Sequence, residues 1–313
     1  MLRTEINTLL EHYQIRKTSA QKAAFRNWLI EALTKAGYSP EVESSGSFNQ
    51  SHNIVAGNPE SAKIVFTAHY DTCAVLPFPN LITPRNLFLF LLYQLLLVLP
   101  MFVLAAGAEI LLLFCWDDCP MWLAMLVVYA VLGACIWWIT NGPANKHTAN
   151  DNTSGVATLL EIALALPDEQ RDQIAFVFFD NEEKGLLGSA QFKKLHGKNL
   201  DNTLLVNFDC VSDGDHIQFF PNKTLKQNER ILLALEESYL PEGCKKVEVV
   251  RGFGFYPSDQ RAFPLGVGVA ALHKGRIGYW LGRIHTGRDT VFESKNIELL
   301  RDGSLALISL LSD

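Results

Sequence analysis

The sequence predicts a three-layer α/β sandwich around a mixed, mostly parallel central sheet, with a two-helix hydrophobic hairpin inserted into it. Three observations carry this. Four near-continuous apolar runs, 63–72, 173–180, 203–210 and 267–272, are rich in β-branched and aromatic residues, as suits strands buried on both faces. Between them, 153–166, 224–239 and 296–311 carry helical periodicity, and strands alternating with helices give a mostly parallel sheet. Apolarity also rises abruptly after Pro79.

At the N-terminus, 4–14 and 19–36 read as helices, the second starting at "TSAQ" with Ser19 as cap and ending at Gly37. This amphipathic, charged start lacks the apolar core and small-residue cleavage site of a signal peptide, so the first domain is expected in the cytoplasm. The 313 residues suffice for one large core or two modest ones. Acidic residues outnumber basic ones 33 to 27 without clustering, which argues against nucleic acid as a partner. Six scattered cysteines form no metal-spacing pattern. Cys115 and Cys119, the one close pair, read as unrelated thiols or, in an oxidising space, a local disulfide.

The apolar insertion comprises 87–114, with one charge (Glu109) and one proline (Pro100), and the uncharged 121–139. At ~1.5 Å per residue the second run spans ~29 Å, about one hydrocarbon core, and the first can cross with tilt or a kink. Trp116, Trp122, Trp137 and Trp138 lie near the ends, as interfacial aromatics do. Only "CWDDCP" separates the runs, so a tight antiparallel hairpin is expected with both outer ends on one side. Arg85 and Lys146 flank its base and Asp117 and Asp118 its tip, which places the base in the cytoplasm. The other reading is a hairpin buried in a dimer or lying as a lid. Expected boundaries are therefore one α/β unit from 1–76 and 144–313, and a transmembrane hairpin over 77–143 contacting the lipid bilayer through 87–139.

Ligands of open α/β sheets gather beyond the carboxyl ends of the strands. Those ends supply His69 and Asp71 in "HYD", Glu182 and Glu183 after "FFDN", and Asp209 in "NFD". Asp151 precedes a helix in "ANDNTSG", and His285 and Asp289 sit in "IHTGRDT". Two histidines with several carboxylates suit zinc, with manganese or cobalt as alternatives. A carboxylate two residues from His69 can hold the ring nitrogen that faces away from a metal. Singly, each residue has an ordinary reading: Asp151 as a helix cap, Glu182 and Glu183 as a solvated pair, His285 as a surface residue. Together they read as a metal site.

In this order, "HYD", "NDNTSG", "NEEKGLLGS", "NFD" and "IHTGRDT" resemble the zinc exopeptidase family of bacterial di-zinc leucyl aminopeptidases, which includes glutamate carboxypeptidases and glutaminyl cyclases. The resemblance implies two Zn2+ per chain, one held by His69 and Asp209, the other by Glu183 and His285, with Asp151 bridging. It implies Glu182 as general base and Asp71 as partner of His69. Adjacent glutamates in an extended turn would point in opposite directions, one to metal and one to the attacking water. Substrates would be peptides with a free N-terminus, whose α-amino group one metal can bind. The family joins "HYD" to the "DN" turn by a short loop, whereas here 82 positions separate His69 from Asp151 and the hairpin fills most of the gap.

The expected activity is thus a membrane-anchored, zinc-dependent aminopeptidase, with a single-zinc glutaminyl cyclase or an inactive membrane scaffold as alternatives. Tyr256 and Asp259 in "YPSDQRAF", and Trp280 beside Tyr279, are candidates for the substrate pocket. Gln260 departs from the family, which often has histidine there. The hairpin would hold the catalytic mouth near the membrane, and deleting 80–142 would spare hydrolysis of a soluble anilide while weakening that of a lipophilic peptide. His147 reads as a loop residue and Cys210 as a small buried one.

Overall fold

The computed structural model describes residues 3–45 and 50–312. Two helices, α1 (Thr4–His12) and α2 (Ser19–Lys35), open the chain, followed by strands β1 (Glu41–Ser45), β2 (Ser51–Ala56) and β3 (Ile64–His69). The long helices α3 (Leu87–Cys115) and α4 (Met121–Asn141) come next, then α5 (Gly155–Ala165), β4 (Ile174–Phe179), α6 (Leu187–Leu200) and β5 (Leu204–Phe208). Strand β6 (His216–Pro221), α7 (Glu229–Ser238), β7 (Lys246–Val249), β8 (Gly266–Gly275), β9 (Gly278–Trp280) and α8 (Ser294–Ser312) complete it.

One sheet runs β1-β2-β4-β3-β5-β8-β6-β7, with β9 hairpinned onto β8. Its central strands β4-β3-β5-β8 are parallel and correspond to the four apolar runs. The flanks are mixed: β1, β2, β6 and β9 pair antiparallel, while β7 is parallel to β6. The parallel character thus belongs to the centre, where both faces are covered.

Along β3, Ile64, Phe66 and Ala68 join a large cluster with α1, α2, α5, α7 and α8, while Val65 joins a smaller one with Phe192 and Leu200 of α6. Strand alternation therefore feeds two cores of unequal size and makes three layers. Helix α2 is capped by Thr18, not Ser19: Thr18 accepts the N–H of Gln21, whose side chain returns a bond to the Thr18 N–H. This capping box fits Thr18 because a box needs Gln or Glu three positions on.

Helices α3 and α4 are long and apolar enough to cross a membrane, with mean hydropathy 2.6 and 2.1 over their best windows. They pack antiparallel against each other, with only Ala105 and Ala124 fully buried, so small side chains mark the close crossing. Most of the rest is exposed, including Phe88 at 77% and Phe114 at 83%, while Phe90, Tyr93 and Gln94 at the base of α3 are half-buried. Beyond the base of α3, the hairpin does not lie as a lid over the rest of the chain. Cys115 and Cys119 are free thiols.

Candidate metal centre

Parallel register brings three strand ends to one edge. His69 ends β3 opposite Phe179 of β4, and Asp209 follows the last residue of β5. Opposite them lies the irregular turn Ala149–Ser154 carrying Asp151. Two glycines permit this closeness. A Cβ on Gly155 would lie 2.3 Å from the Phe208 carbonyl, and one on Gly188 2.2 Å from that of Asp180. Three residues at the site, Asn181, Cys210 and His285, hold φ near +60° without being glycine. Such conformations persist where surrounding contacts enforce them, and they concentrate at functional sites.

Asp151 sits between two imidazoles. Its Oδ1 is 3.4 Å from His69 Nε2 and its Oδ2 3.0 Å from His285 Nε2. Asp209 Oδ1 lies 3.6 Å from His69 Nε2, and Glu183 Oε2 lies 3.4 Å from His285 Nε2. One donor atom each from His69, Asp151 and Asp209 falls within a 4.8 Å group, and so does one each from Cys73, Glu183 and His285. Glu183 Oε1 is buried without a hydrogen-bond partner. Two trios of N, O and S donors, and a buried carboxylate oxygen with nothing to bind, fit borderline divalent cations such as zinc.

The electrostatics agree. Burial disfavours charge on Glu183, and Asp151 adds to this, pushing its carboxyl up to about 8. Glu182 is raised well above the carboxylate range by burial, Glu183, Asp259 and Asp209. Burial opposes charge on His285, yet Glu183, Asp151 and Asp289 prevail and push it up to about 9. Asp151 is lowered despite burial, because both imidazoles stabilise its charge. The bare cluster thus draws protons into the place of positive charge.

Two further aspartates hold the turns. Asp71 accepts the N–H groups of Glu182 (3.0 Å) and Glu183 (3.2 Å), and Asp289 accepts those of Asn150 (2.7 Å) and Asp151 (3.0 Å). Asp71 also faces His69, whose Nδ1 is 3.1 Å from the Asp71 backbone carbonyl and 3.6 Å from its carboxylate. The glutamates differ from expectation, lying in a tight turn and not an extended one. Gly185 and Leu186 both donate to the Glu182 carbonyl at 2.8 Å. Behind that turn, Lys22 of α2 bonds Asp180 (2.6 Å) and Asn181 (2.8 Å).

A cavity of about 210 Å³ opens over the cluster, lined by His69, Asp151, Glu182, Glu183, Asp209 and His285, with Tyr256 among its walls. The Tyr256 hydroxyl donates to the Asp209 carbonyl at 3.0 Å. Asp259 is fully buried, its carboxylate unpartnered and pushed up to about 7, chiefly by burial. It lies outside the cavity lining. Trp280 lies outside it too: β9 holds its ring against His273, 4.9 Å between centroids. Gln260 braces the loop, donating to the Tyr256 carbonyl and accepting from Asn207. His147 is exposed in a loop, and Cys210 lies buried with its thiol on Asp209 Oδ1 at 3.1 Å.

Sequence reasoning passed over Cys73, because it sought metal-spaced cysteine pairs and not a thiol two residues past "HYD". Asn80, Ile82, Phe90 and Gln94 also line the cavity, although they fall in or near the apolar insertion. Deleting 80–142 would remove this wall together with the apolar span.

The model of peptidase family M28 matches residues 116–307, more than half the chain. The chain belongs to peptidase family M28. The M28 match includes Asp151, Glu182, Glu183, Asp209 and His285 and leaves His69 and Asp71 to be joined by the fold. Among solved structures, a glutaminyl cyclase from Porphyromonas gingivalis is similar with TM-score 0.60 and 17% identity over 98% of this chain and 95% of that one. The LapA aminopeptidase of Legionella pneumophila gives 0.57 and 16% over 98% and 67%. A leucine aminopeptidase precursor from Bacteroides thetaiotaomicron gives 0.54 and 14% over 96% and 93%. At these identities the likeness establishes the M28-type fold. Among curated protein sequences, none matches.

Proposed function

We propose that this chain is a membrane-anchored metallo-aminopeptidase that removes the N-terminal residue of peptides at a centre of two zinc ions. One observation supports this above the others: each oxygen of Asp151 faces a different histidine, and each histidine belongs to its own donor trio. His69 and Asp209 would hold one ion, Glu183 and His285 the other, and Asp151 both. Such a pair supplies Lewis acidity to the scissile carbonyl and acidifies the attacking water.

The chain's own residues do the rest. Glu182 lines the cavity and is not required as a ligand, so it can take the water's proton and return it to the leaving amine. Asp71 and Asp289 fix the backbone on which the glutamates and Asp151 ride. Tyr256 steadies Asp209 from the cavity wall. The exposed apolar faces of α3 and α4 suit a bilayer, and the charges at base and tip suit a catalytic domain facing the cytoplasm.

An aminoacyl-anilide panel on detergent-solubilised protein, with chelator and zinc add-back, tests this reading. Chelator-sensitive, zinc-restored release of the anilide is expected. Ring closure of an N-terminal glutamine with ammonia release, and no hydrolysis, would instead make the protein a cyclase. Failure to bind metal would make it a scaffold.

A further inference from the structure

Helix α3 has 29 residues and α4 has 21, eight more on a strand-free hairpin whose two arms should otherwise match. The extra length lies at the base. Residues 95–115 are as long as α4, about 31 Å at 1.5 Å per residue, which is one hydrocarbon core. The first eight residues, 87–94, pack on the catalytic domain. Phe90 meets Phe255 at 5.6 Å and joins the cluster containing Ile82, Tyr256 and Ile284. Tyr93 donates to the Pro79 carbonyl at 2.7 Å, and Gln94 to Asn80 Oδ1 at 3.0 Å.

The connector into α3 is stitched to the segment carrying His285. Leu76 N–H donates to the His285 carbonyl (2.7 Å), Asn80 to that of Ile284 (3.3 Å), and Ile82 exchanges bonds with Leu281 (2.9 and 3.0 Å). Phe90, Gln94, Asn80 and Ile82 all face the cavity that holds the candidate metal residues. On the same first turns, Phe88 and Leu91 stay exposed, as does Phe78 in the connector. The helix therefore turns one side to the cavity while its other side carries apolar groups suited to the lipid interface.

We propose that the base of α3 is a working wall of the substrate pocket: Phe90 and Gln94 set the preference for the substrate's first residues. Because the wall continues directly into the bilayer span, the pocket opens at headgroup depth and takes peptides held at the lipid surface. The proposal rests on the hydrolase reading above. Ile82, Phe90, Pro257 and Ile284 give the cavity an apolar side that fits a branched aliphatic side chain, and the Gln94–Asn80 amides give it a polar rim that fits a peptide backbone.

The test uses zinc-loaded full-length protein in lipid nanodiscs. Leucine and alanine anilides are compared in wild type, Phe90→Ala, Phe90→Leu, Gln94→Ala and the outward-facing Leu96→Ala. Affinity for leucine hydroxamate is measured by calorimetry, which reads the pocket without hydrolysis. In Phe90→Ala, the leucine-to-alanine ratio of kcat/KM falls by about 10-fold or more, and hydroxamate affinity falls with it. Phe90→Leu restores part of the ratio, Gln94→Ala raises KM with kcat nearly kept, and Leu96→Ala matches wild type. A leucyl peptide bearing a C-terminal alkyl chain is cleaved with kcat/KM about 10-fold or more above the same peptide without the chain.

Wild-type ratios and affinities in Phe90→Ala, with wild-type KM in Gln94→Ala, would overturn the pocket wall and leave the hairpin as an anchor. Equal rates on peptides with and without the alkyl chain would overturn the substrate class. If wild type hydrolyses no anilide yet binds hydroxamate through Phe90, the wall stands and the peptidase reading falls. No hydroxamate binding by the zinc-loaded protein would overturn both.

Discussion

Asp71 and Glu182 are joined across 111 positions of sequence, one carboxylate oxygen accepting the backbone N–H of the other at 3.0 Å. The second oxygen takes the N–H of Glu183. One buried carboxylate thereby sets two neighbouring glutamates assigned different work, a ligand and a base. Replacing it by Asn trades an acceptor oxygen for a donor that faces an N–H. In Asp71→Asn, metal affinity or kcat is expected to fall about 10–100-fold with little change in melting temperature. Zinc titration beside anilide kinetics checks this.

Glu182 is expected to separate chemistry from metal binding. Glu182→Gln keeps side-chain shape and the full metal content but loses the proton acceptor. Its kcat should fall by about 10²–10⁴-fold. Metal loss together with activity would instead make Glu182 a ligand.

Lys22 and Asp180 form a buried pair, 2.6 Å apart with side chains 7% and 0% exposed. Removing one partner strands the other charge away from water. Lys22→Ala is expected to cost about 3–5 kcal/mol of stability, seen as a lower melting temperature, and to loosen the Asn181 turn that presents the glutamates.

Metal removal should make stability fall with rising pH. Burial pushes both Asp259 and Asp289 up to about 7, from an unfolded value near 3.8. A raised folded pKa means that the native state binds the proton more tightly, so its stabilisation is complete below ~4 and lost as pH climbs through ~7. Glu183, up at about 8, extends the loss in the same direction. Thermal melts of chelated protein from pH 5 to 8.5 should decline, and added zinc should flatten the decline by replacing the protons.

How far the sequence carried the fold depended on burial pattern. The four central strands are apolar on both faces and announced themselves. The flanking β1 ("EVESS") and β2 ("SHNIVA") are short, and β1 is largely exposed, so no run or clear alternation marks them. Helix α6 went unseen because Gly188 and Gly197 interrupt it and its apolar residues form little of a face. The site was legible for a different reason: His69, Glu183 and Asp209 lie at or just past strand ends and Asp151 just before a helix, where the strand stops and side chains face outward, while His285 was marked by its loop motif. Hydrogen bonds between distant turns, as from Asp71 and Asp289, leave no periodic trace. Nor did the cavity wall, since Phe90 and Gln94 sit in a helix whose composition says only membrane.

Metal positions in zinc-loaded crystals, read from anomalous scattering, test the shared centre most directly. Two peaks about 3.5–4 Å apart are expected, one on each side of Asp151 and each beside its own histidine. A single peak, or two that do not share Asp151, would contradict it.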